Sequence, residues 1–293
     1  MQHATWLKIE ASPFLYGLYR RYRLLPEGAR RPLRTLSAPH WHLAALLVRR
    51  SSRYRAVDGP FRGMRIELSP LSGRHLLGYL LGSQELELRD AIEQVAGGGY
   101  RTVLNVGAAD GYYTIGLAMR LPRAKMVAFE GLDELHTVIA RAARANSVED
   151  RVAIHGFCTV ATLNAHLEAA SQPTLVMMDI EGGEAELLDP VAVPQLTHAD
   201  ILVETHDAFV AGVTETLIER FGATHEVTCY TARPRVLNDF PPGFLPWFRR
   251  LFPHLAVELM NERRTGVQRW LLLTAKVNQI NAASAETVAG ATG

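Results

Sequence analysis

The chain of 293 residues has only two cysteines, Cys158 and Cys229. Their wide separation excludes a disulfide framework and a paired-cysteine metal motif, and it predicts a reducing compartment. Long hydrophobic runs are missing too. The longest apolar stretch near the N-terminus runs from Leu43 to Val48, far short of the roughly 20 apolar residues that cross a bilayer. Arginines stand on both sides of it, and no small-residue cleavage signal follows a charged head. Neither a transmembrane segment nor a secretory leader is therefore expected, and the reading is a cytoplasmic protein. There is no internal repeat. A composition of 48% hydrophobic and 21% charged residues excludes the disordered and collagenous classes.

Net charge is also nearly absent, at +1, but the total conceals a division. Residues 1–57 carry 11 Lys and Arg against Glu10 and Glu27, which makes +9 and leaves −8 for the remainder. A basic arm thus precedes an acidic body. Tyr16, Tyr19, Tyr22 and Trp41 interleave the arginines, a pattern compatible with nucleic acid. The arm can equally cover the acidic body, within the chain or across a homodimer, or dock on an acidic partner or surface.

Apolar residues at helical spacing over 12–24, 39–50 and 76–96, punctuated by prolines, predict a mainly helical N-terminal region over 1–98. Alternation over Tyr54 to Leu68 around Asp58-Gly59-Pro60 predicts a short hairpin within it. From residue 99 to 278 the pattern changes. Strand-like runs at Thr102–Val106, Lys125–Phe129, Val152–Ile154, Leu175–Asp179 and Ile201–Glu204 alternate with helical segments at Tyr112–Arg120, Leu135–Ala145, Leu163–Ala169, Glu184–Leu188 and Thr214–Phe221. Such alternation predicts an α/β fold with a doubly wound, mostly parallel sheet. Two more strands are expected at Thr224–Cys229 and Gln268–Thr274, making seven. Residues 230–267 between them read as a lid or substrate insertion, and residues 279–293 as a disordered tail.

The strongest local signal is Asn105-Val106-Gly107-Ala108-Ala109-Asp110-Gly111-Tyr112. A strand enters a turn of small residues and then a helix, so backbone N–H groups can approach a ligand closely. The frame is G-x-x-x-G rather than G-x-G-x-x-G, which disfavours a pyrophosphate. Tight strand–helix packing is the competing reading. Glu130 ends the second strand, 23 residues after Gly107, where an acid meets ribose hydroxyls in doubly wound folds. Gly131 follows it. Phe157 is placed either to stack on an adenine or to fill the core.

At Met178-Asp179-Ile180-Glu181-Gly182-Gly183-Glu184 the chain resembles the FkbM family of S-adenosylmethionine-dependent methyltransferases, whose fourth strand ends in D-x-E-G-x-E. Gly82-Ser83-Gln84-Glu85, the Gly107–Thr114 turn and Leu202-Val203-Glu204-Thr205-His206-Asp207 fit in the same order. Within the family, the turn and Leu259-Met260-Asn261-Glu262-Arg263-Arg264-Thr265-Gly266 look like an uncharacterised bacterial branch. The chain departs from the pattern at Asn105, Ala109 and Asp110, which replace an Asp, an Asn and an aliphatic residue. The resemblance implies a Rossmann-like methyltransferase sheet, S-adenosylmethionine as cofactor, and a hydroxyl on a sugar or secondary metabolite as the small-molecule acceptor. It places the cofactor on Asn105, Gly107, Ala108, Asp110, Gly111, Tyr112, Glu130, Gly131, Phe157 and Asp179.

A hydroxyl must lose its proton before it is methylated, which calls for a base or an acidifying metal. The candidates stand at the ends of strands four and five: Asp179, Glu181, Glu184, Glu204, His206 and Asp207. In one reading His206 or Asp179 takes the proton, with Glu204 beside them. In the other, Asp179, Glu204 and Asp207 or His206 hold a hard cation such as Mg2+. Glu181 and Glu184 also suit plain helix N-terminal charge. Arg263 or Arg264 could hold an anionic acceptor or form a surface ion pair. The remaining histidines show no clustering. Two further function classes stay open: RNA methylation through the arginine-rich arm, and a methyltransferase-like scaffold without catalysis.

Overall fold

The computed structural model describes residues 38–67, 69, 73, 75–262 and 268–277. The first predicted helical segment (12–24), the expected tail, and Arg263 and Arg264 lie outside the described residues. The chain divides into two compact units, at Val48 and Arg49. Of the first unit, residues 38–48 are described. They begin helix α1 (Pro39–Ser52), with the proline in the opening turn, where its missing N–H goes unneeded.

Residues 49–98, read from sequence with the N-terminal region, belong to the same compact unit as the sheet. The expected hairpin is reduced to one antiparallel bridge, Arg55 to Arg65, with Ala56 N–H donating to the Met64 carbonyl at 2.9 Å and Ile66 N–H to that of Tyr54 at 2.8 Å. The single helical pattern of 76–96 is broken into α2 (Leu76–Leu81), a 3-10 turn (Leu86–Leu88) and α3 (Arg89–Gly97). The cause is local. Gly82 takes φ +65°, and a Cβ there would lie 2.1 Å from the Asp58 carbonyl oxygen, so only glycine lets the two turns meet.

The seven strands are β1 (Thr102–Val106), β2 (Lys125–Phe129), β3 (Val152–His155), β4 (Thr174–Met178), β5 (Asp200–Thr205), β6 (His225–Thr231) and β7 (Arg269–Ala275). Their order in one sheet is β3-β2-β1-β4-β5-β7-β6. β1 to β5 pair in parallel, and β7 runs antiparallel to both β5 and β6. This is the mostly parallel α/β sheet predicted from the alternation. The crossovers are made by α4 (Tyr112–Arg120), α5 (Asp133–Ala145), α6 (Val160–Glu168), the short α7 (Glu184–Leu187) and α8 (Val213–Phe221). The strand order runs outward from β1 in both directions, and right-handed crossovers then place helices on both faces. Accordingly β1, β4 and β5 are buried along their whole length, while the edge strand β6 is mostly exposed. The insertion between β6 and β7 folds into α9 (Pro246–Leu251) and α10 (Pro253–Leu259). Among the described residues no helix is long and apolar enough to cross a membrane.

Candidate active site

The strand order reverses between β1 and β4, and in doubly wound sheets ligands bind outside the carboxyl ends at that switch point. A cleft of about 1300 Å3 opens there. Pockets for one drug-sized ligand hold roughly 300–1,000 Å3, so two ligands can share this one. The turn after β1 forms its floor. Gly107 takes φ +83°, and a Cβ on it would lie 1.9 Å from the Asp179 carbonyl oxygen. Glycine is therefore what allows the ends of β1 and β4 to abut. The N–H groups of Gly107 and Ala108 donate to the Phe129 carbonyl at 3.0 and 2.9 Å, and Gly111 N–H donates to that of Ala108 at 2.8 Å. Ala109 holds φ +48°, in the left-handed region that Asn tolerates better than Ala.

The polar residues at and beside the turn have local partners. Asn105 donates through Nδ2 to the Thr114 hydroxyl at 2.8 Å, pinning strand to helix. Asp110 accepts from the Tyr79 hydroxyl at 3.1 Å, and the Tyr79 ring stacks on Tyr112 with centroids 4.1 Å apart. Burial, reinforced by the charge of Asp110, pushes the Tyr79 hydroxyl well above its ordinary pKa, so it remains a donor. An acid at 110 thus serves a tyrosine that precedes the turn by 31 residues in sequence.

Glu130 stands beside the turn. One carboxylate oxygen accepts from Ala109 N–H at 2.7 Å and the other from Leu132 N–H at 2.9 Å. Each carboxylate oxygen can accept a second hydrogen bond, so the same group can anchor the turn and meet a ligand. Phe157 lines the cleft with 79% of its surface exposed. The core-filling alternative is thereby removed. Its ring edge stands 3.5 Å from where a Cβ of Gly131 would be, which makes a small residue at 131 part of the same rim.

Opposite, β4 and β5 are neighbours and their ends converge. His206 is 8% exposed, with Nδ1 2.6 Å from Glu184 Oε1. Its Nε2 lies 3.5 Å from Asp179 Oδ1 and 3.8 Å from Glu204 Oε2. Glu184 is fully buried and also accepts from Gly182 N–H at 3.1 Å. Burial acts to lower the His206 pKa, but the Glu184 hydrogen bond and the charges of Asp179, Glu184 and Glu181 outweigh it and the net shift is upward. For Glu184 burial acts upward, and the hydrogen bonds from His206 and from backbone N–H groups bring the net shift below its ordinary value. Glu184 therefore does more than charge a helix terminus: it fixes which ring nitrogen of His206 faces the cleft.

Asp179, Glu204 and His206 offer three ligand atoms within 4.8 Å of one another. Asp207 lies outside this trio. Its Oδ1 accepts from Thr214 N–H at 3.1 Å, its Oδ2 accepts from the Thr214 hydroxyl, and Arg269 stands 3.6 Å away, so it caps α8. Cys158 lines the same cleft, and burial pushes its thiol up to about 11, which leaves no thiolate nucleophile near neutral pH. Of the remaining histidines, His225 is buried against the Ala199 carbonyl, and His136 sits 2.7 Å from that of Glu130.

One wall was only partly legible in the sequence. Glu85, at φ +46°, receives the Tyr113 hydroxyl and Gln84 Nε2, while its N–H donates to Glu262. Arg235 bridges Glu262 and Glu87, with all three side chains below 10% exposed. The Gly82–Glu85 and Asn261–Glu262 motifs mark two segments of this wall, but nothing in the spacing pointed to Arg235 as their link.

No protein-family model matches the chain, and no curated protein matches it in sequence. Among solved structures, the chain is similar to the O-methyltransferase TomG of Streptomyces achromogenes in complex with SAM, at 16% identity, with 77% of this chain and 99% of that one covered and a TM-score of 0.43. An O-methyltransferase from Bacillus cereus in complex with SAH aligns at 14% identity over 80% and 91% of the two chains, with a TM-score of 0.41. An rRNA methylase from Streptococcus thermophilus aligns at 10% identity over 66% and 98%, with a TM-score of 0.43. Likenesses this distant assign no activity or acceptor.

Proposed function

We propose that this chain is an S-adenosylmethionine-dependent methyltransferase acting on a hydroxyl of a small-molecule acceptor. The observation that carries the reading is one cleft at the switch point with Glu130 beside the Gly107–Gly111 turn on one side and the buried Glu184–His206 pair on the other. The residues fit a nucleoside cofactor. Phe157 offers an exposed ring for an adenine, and Glu130 offers acceptors for two ribose hydroxyls. Asn105, Gly107, Ala108, Asp110, Tyr112 and Gly131 line the remainder of that half, Gly111 supports it by closing the turn onto the Ala108 carbonyl, and Asp179 closes it at β4. The resemblance of the sequence motifs to the FkbM family supports the same reading.

The cofactor supplies an electrophilic methyl group on a sulfonium. The chain must hold the acceptor oxygen in line and remove its proton. Glu184 keeps a proton on His206 Nδ1, which leaves Nε2 to receive the acceptor's proton, while Asp179 and Glu204 stabilise the imidazolium that results. The upward shift at His206 moves the acid limb of activity to higher pH than an unperturbed imidazole would give. Replacing Glu184 by Gln removes the partner charge and leaves the opposing effect of burial, so the limb is expected to move to lower pH as kcat falls. A pH profile of kcat/KM checks this, and an unmoved limb would detach Glu184 from the base.

The trio of Asp179, Glu204 and His206 favours a second reading. Two carboxylates and an imidazole suit a divalent cation such as Mg2+, which would acidify the hydroxyl. At 3.5 and 3.8 Å from His206 Nε2, the two carboxylates would have to draw closer to share an ion whose ligands stand at about 2.1 Å.

The central test is cofactor binding. Glu130→Ala is expected to weaken S-adenosylhomocysteine about 10- to 100-fold, the value of hydrogen bonds to a charged group, as read by isothermal titration calorimetry. A thermal-melting control shows whether the Ala109 anchor has been lost as well. Unchanged affinity in a folded variant would sink the ribose assignment.

A further inference from the structure

Of the described residues between β6 and β7, only Glu262 and Gln268 line the cleft. The outer surface of α9 and α10 is built differently. α9 begins at Pro246 and stops where Pro253, which cannot continue the helical hydrogen bonding, opens α10. Its inner side is set by Phe248, which is buried and packs on Phe240 with ring centroids 6.1 Å apart. At about 3.6 residues per turn, Trp247, Arg250 and Leu251 then share the outer side, and Phe252 stands at the corner before α10. Trp247 is 50%, Leu251 66% and Phe252 48% exposed, and Arg250 is exposed with them. Among the described residues no other stretch of six exposes three large apolar side chains. Single exposed apolar residues are ordinary, whereas a contiguous group marks a contact surface.

Charge decides what that surface meets. The chain after residue 57 carries −8, yet residues 240–257 hold Arg249 and Arg250 and no acid. The nearest acid in sequence is the half-buried Glu258 of α10. Arg233 and Arg235, in the same insertion, are neutralised by Asp239 and by Glu87 and Glu262. Arg249 hydrogen-bonds only neutral groups, the Leu237 carbonyl and Asn238, so it and Arg250 give the corner its positive charge. A second copy is a poor occupant, because a two-fold contact sets a patch against itself and arginine against arginine. The segments outside the described residues fit no better: 1–37 holds seven Lys and Arg against two Glu, 263–267 holds Arg263 and Arg264 without an acid, and 278–293 brings only Glu286. Single-stranded nucleic acid would use the arginines and the rings, but it leaves Leu251, the most exposed of the group, uncovered. An anionic bilayer takes all of them: acyl chains accept Leu251 and Phe252, the headgroup level suits an indole, and negative headgroups attract the arginines.

We infer that the α9–α10 corner is a peripheral docking site for an anionic lipid surface. Trp247, Leu251 and Phe252 enter the headgroup region, and Arg249 and Arg250 lie against its negative charge. The docking is independent of the methyltransferase reading and of the acceptor.

The test floats the full chain with vesicles of equimolar phosphatidylcholine and phosphatidylglycerol, and with vesicles of phosphatidylcholine alone. Binding to the anionic vesicles is expected to be about tenfold or more tighter, the value of two cations near a charged surface, and to weaken as salt rises. The N-terminal arm carries charge of the same sign, so the deciding variants leave it intact. Leu251→Asp is expected to weaken binding to the anionic vesicles about tenfold or more, the value of burying one leucine. Arg250→Gln is expected to weaken it about fivefold, the value of one cation. Both side chains are exposed, so melting temperature should stay native in each. Native vesicle binding by the two folded variants would assign the interaction to the arm and overturn the inference. It is equally overturned by no binding to anionic vesicles, by equal binding to both kinds, by tighter binding of poly(U) than of vesicles, or by a dimer that dissociates in the same variants.

Discussion

Exchanging His206 for Asn is expected to lower the rate of methyl transfer about 100- to 10,000-fold, the range that a positioned base contributes, with S-adenosylhomocysteine affinity unchanged. Asn is the informative replacement because it can still donate towards Glu184. Alanine would leave a fully buried carboxylate without its partner, and breaking a buried pair in this way costs about 3–5 kcal/mol. Loss of activity would then be confounded with loss of fold. The pH profile separates the two readings of the site. If Nε2 takes the proton, the acid limb disappears in the variant and a chelator leaves the native enzyme untouched. If a divalent cation acidifies the hydroxyl, the chelator abolishes activity and added Mg2+ restores it. A variant with native kcat and a native pH profile would remove His206 from the chemistry altogether.

Gly107→Ala is expected to destabilise the protein by about 3 kcal/mol or more and to abolish cofactor binding. Two costs combine. An alanine in the left-handed region is disfavoured by roughly 1–2 kcal/mol, and its Cβ would overlap the Asp179 carbonyl oxygen at 1.9 Å. The second is the larger, because the obstacle is backbone and cannot swing aside. Relief requires the ends of β1 and β4 to part, which disturbs the turn and the base cluster together. Thermal melting and S-adenosylhomocysteine titration check this; a variant that melts and binds like the native chain would show that the turn tolerates what its geometry forbids. By contrast Gly212, also at positive φ, has nothing within 4 Å of an added Cβ and exposes only the conformational cost.

Much of the fold was legible in the residues. β1 and β2 run over the ranges that alternation predicts, and α4 matches as well, because short β-branched runs and amphipathic segments have distinct periods. β3, β4 and β5 shift by a residue or extend at an end, where local pattern says least. The helical spacing over 76–96 continues across Gly82, where the chain itself is divided between helices α2 and α3. What breaks it is the approach of Asp58, a contact that sequence spacing does not encode.

The site divides the same way. Motif positions alone brought Glu130 beside the glycine turn and His206 close to Asp179, since a parallel sheet aligns the carboxyl ends of its strands whatever their loops contain. Three assignments needed the tertiary structure. Phe157 stands open at the rim rather than in the core, Asp207 turns away to cap α8, and Glu184 turns inward as the partner of His206. Each depends on which way a side chain leaves a loop, and that is decided by neighbours from other segments. The wall joined by Arg235 is the clearest case: it unites residues 85, 87, 235 and 262, which touch only after the insertion between β6 and β7 has folded back. Local residue order therefore determined the sheet and the address of the cleft. Long-range packing decided which of the charged groups at that address face a ligand and which hold the protein together.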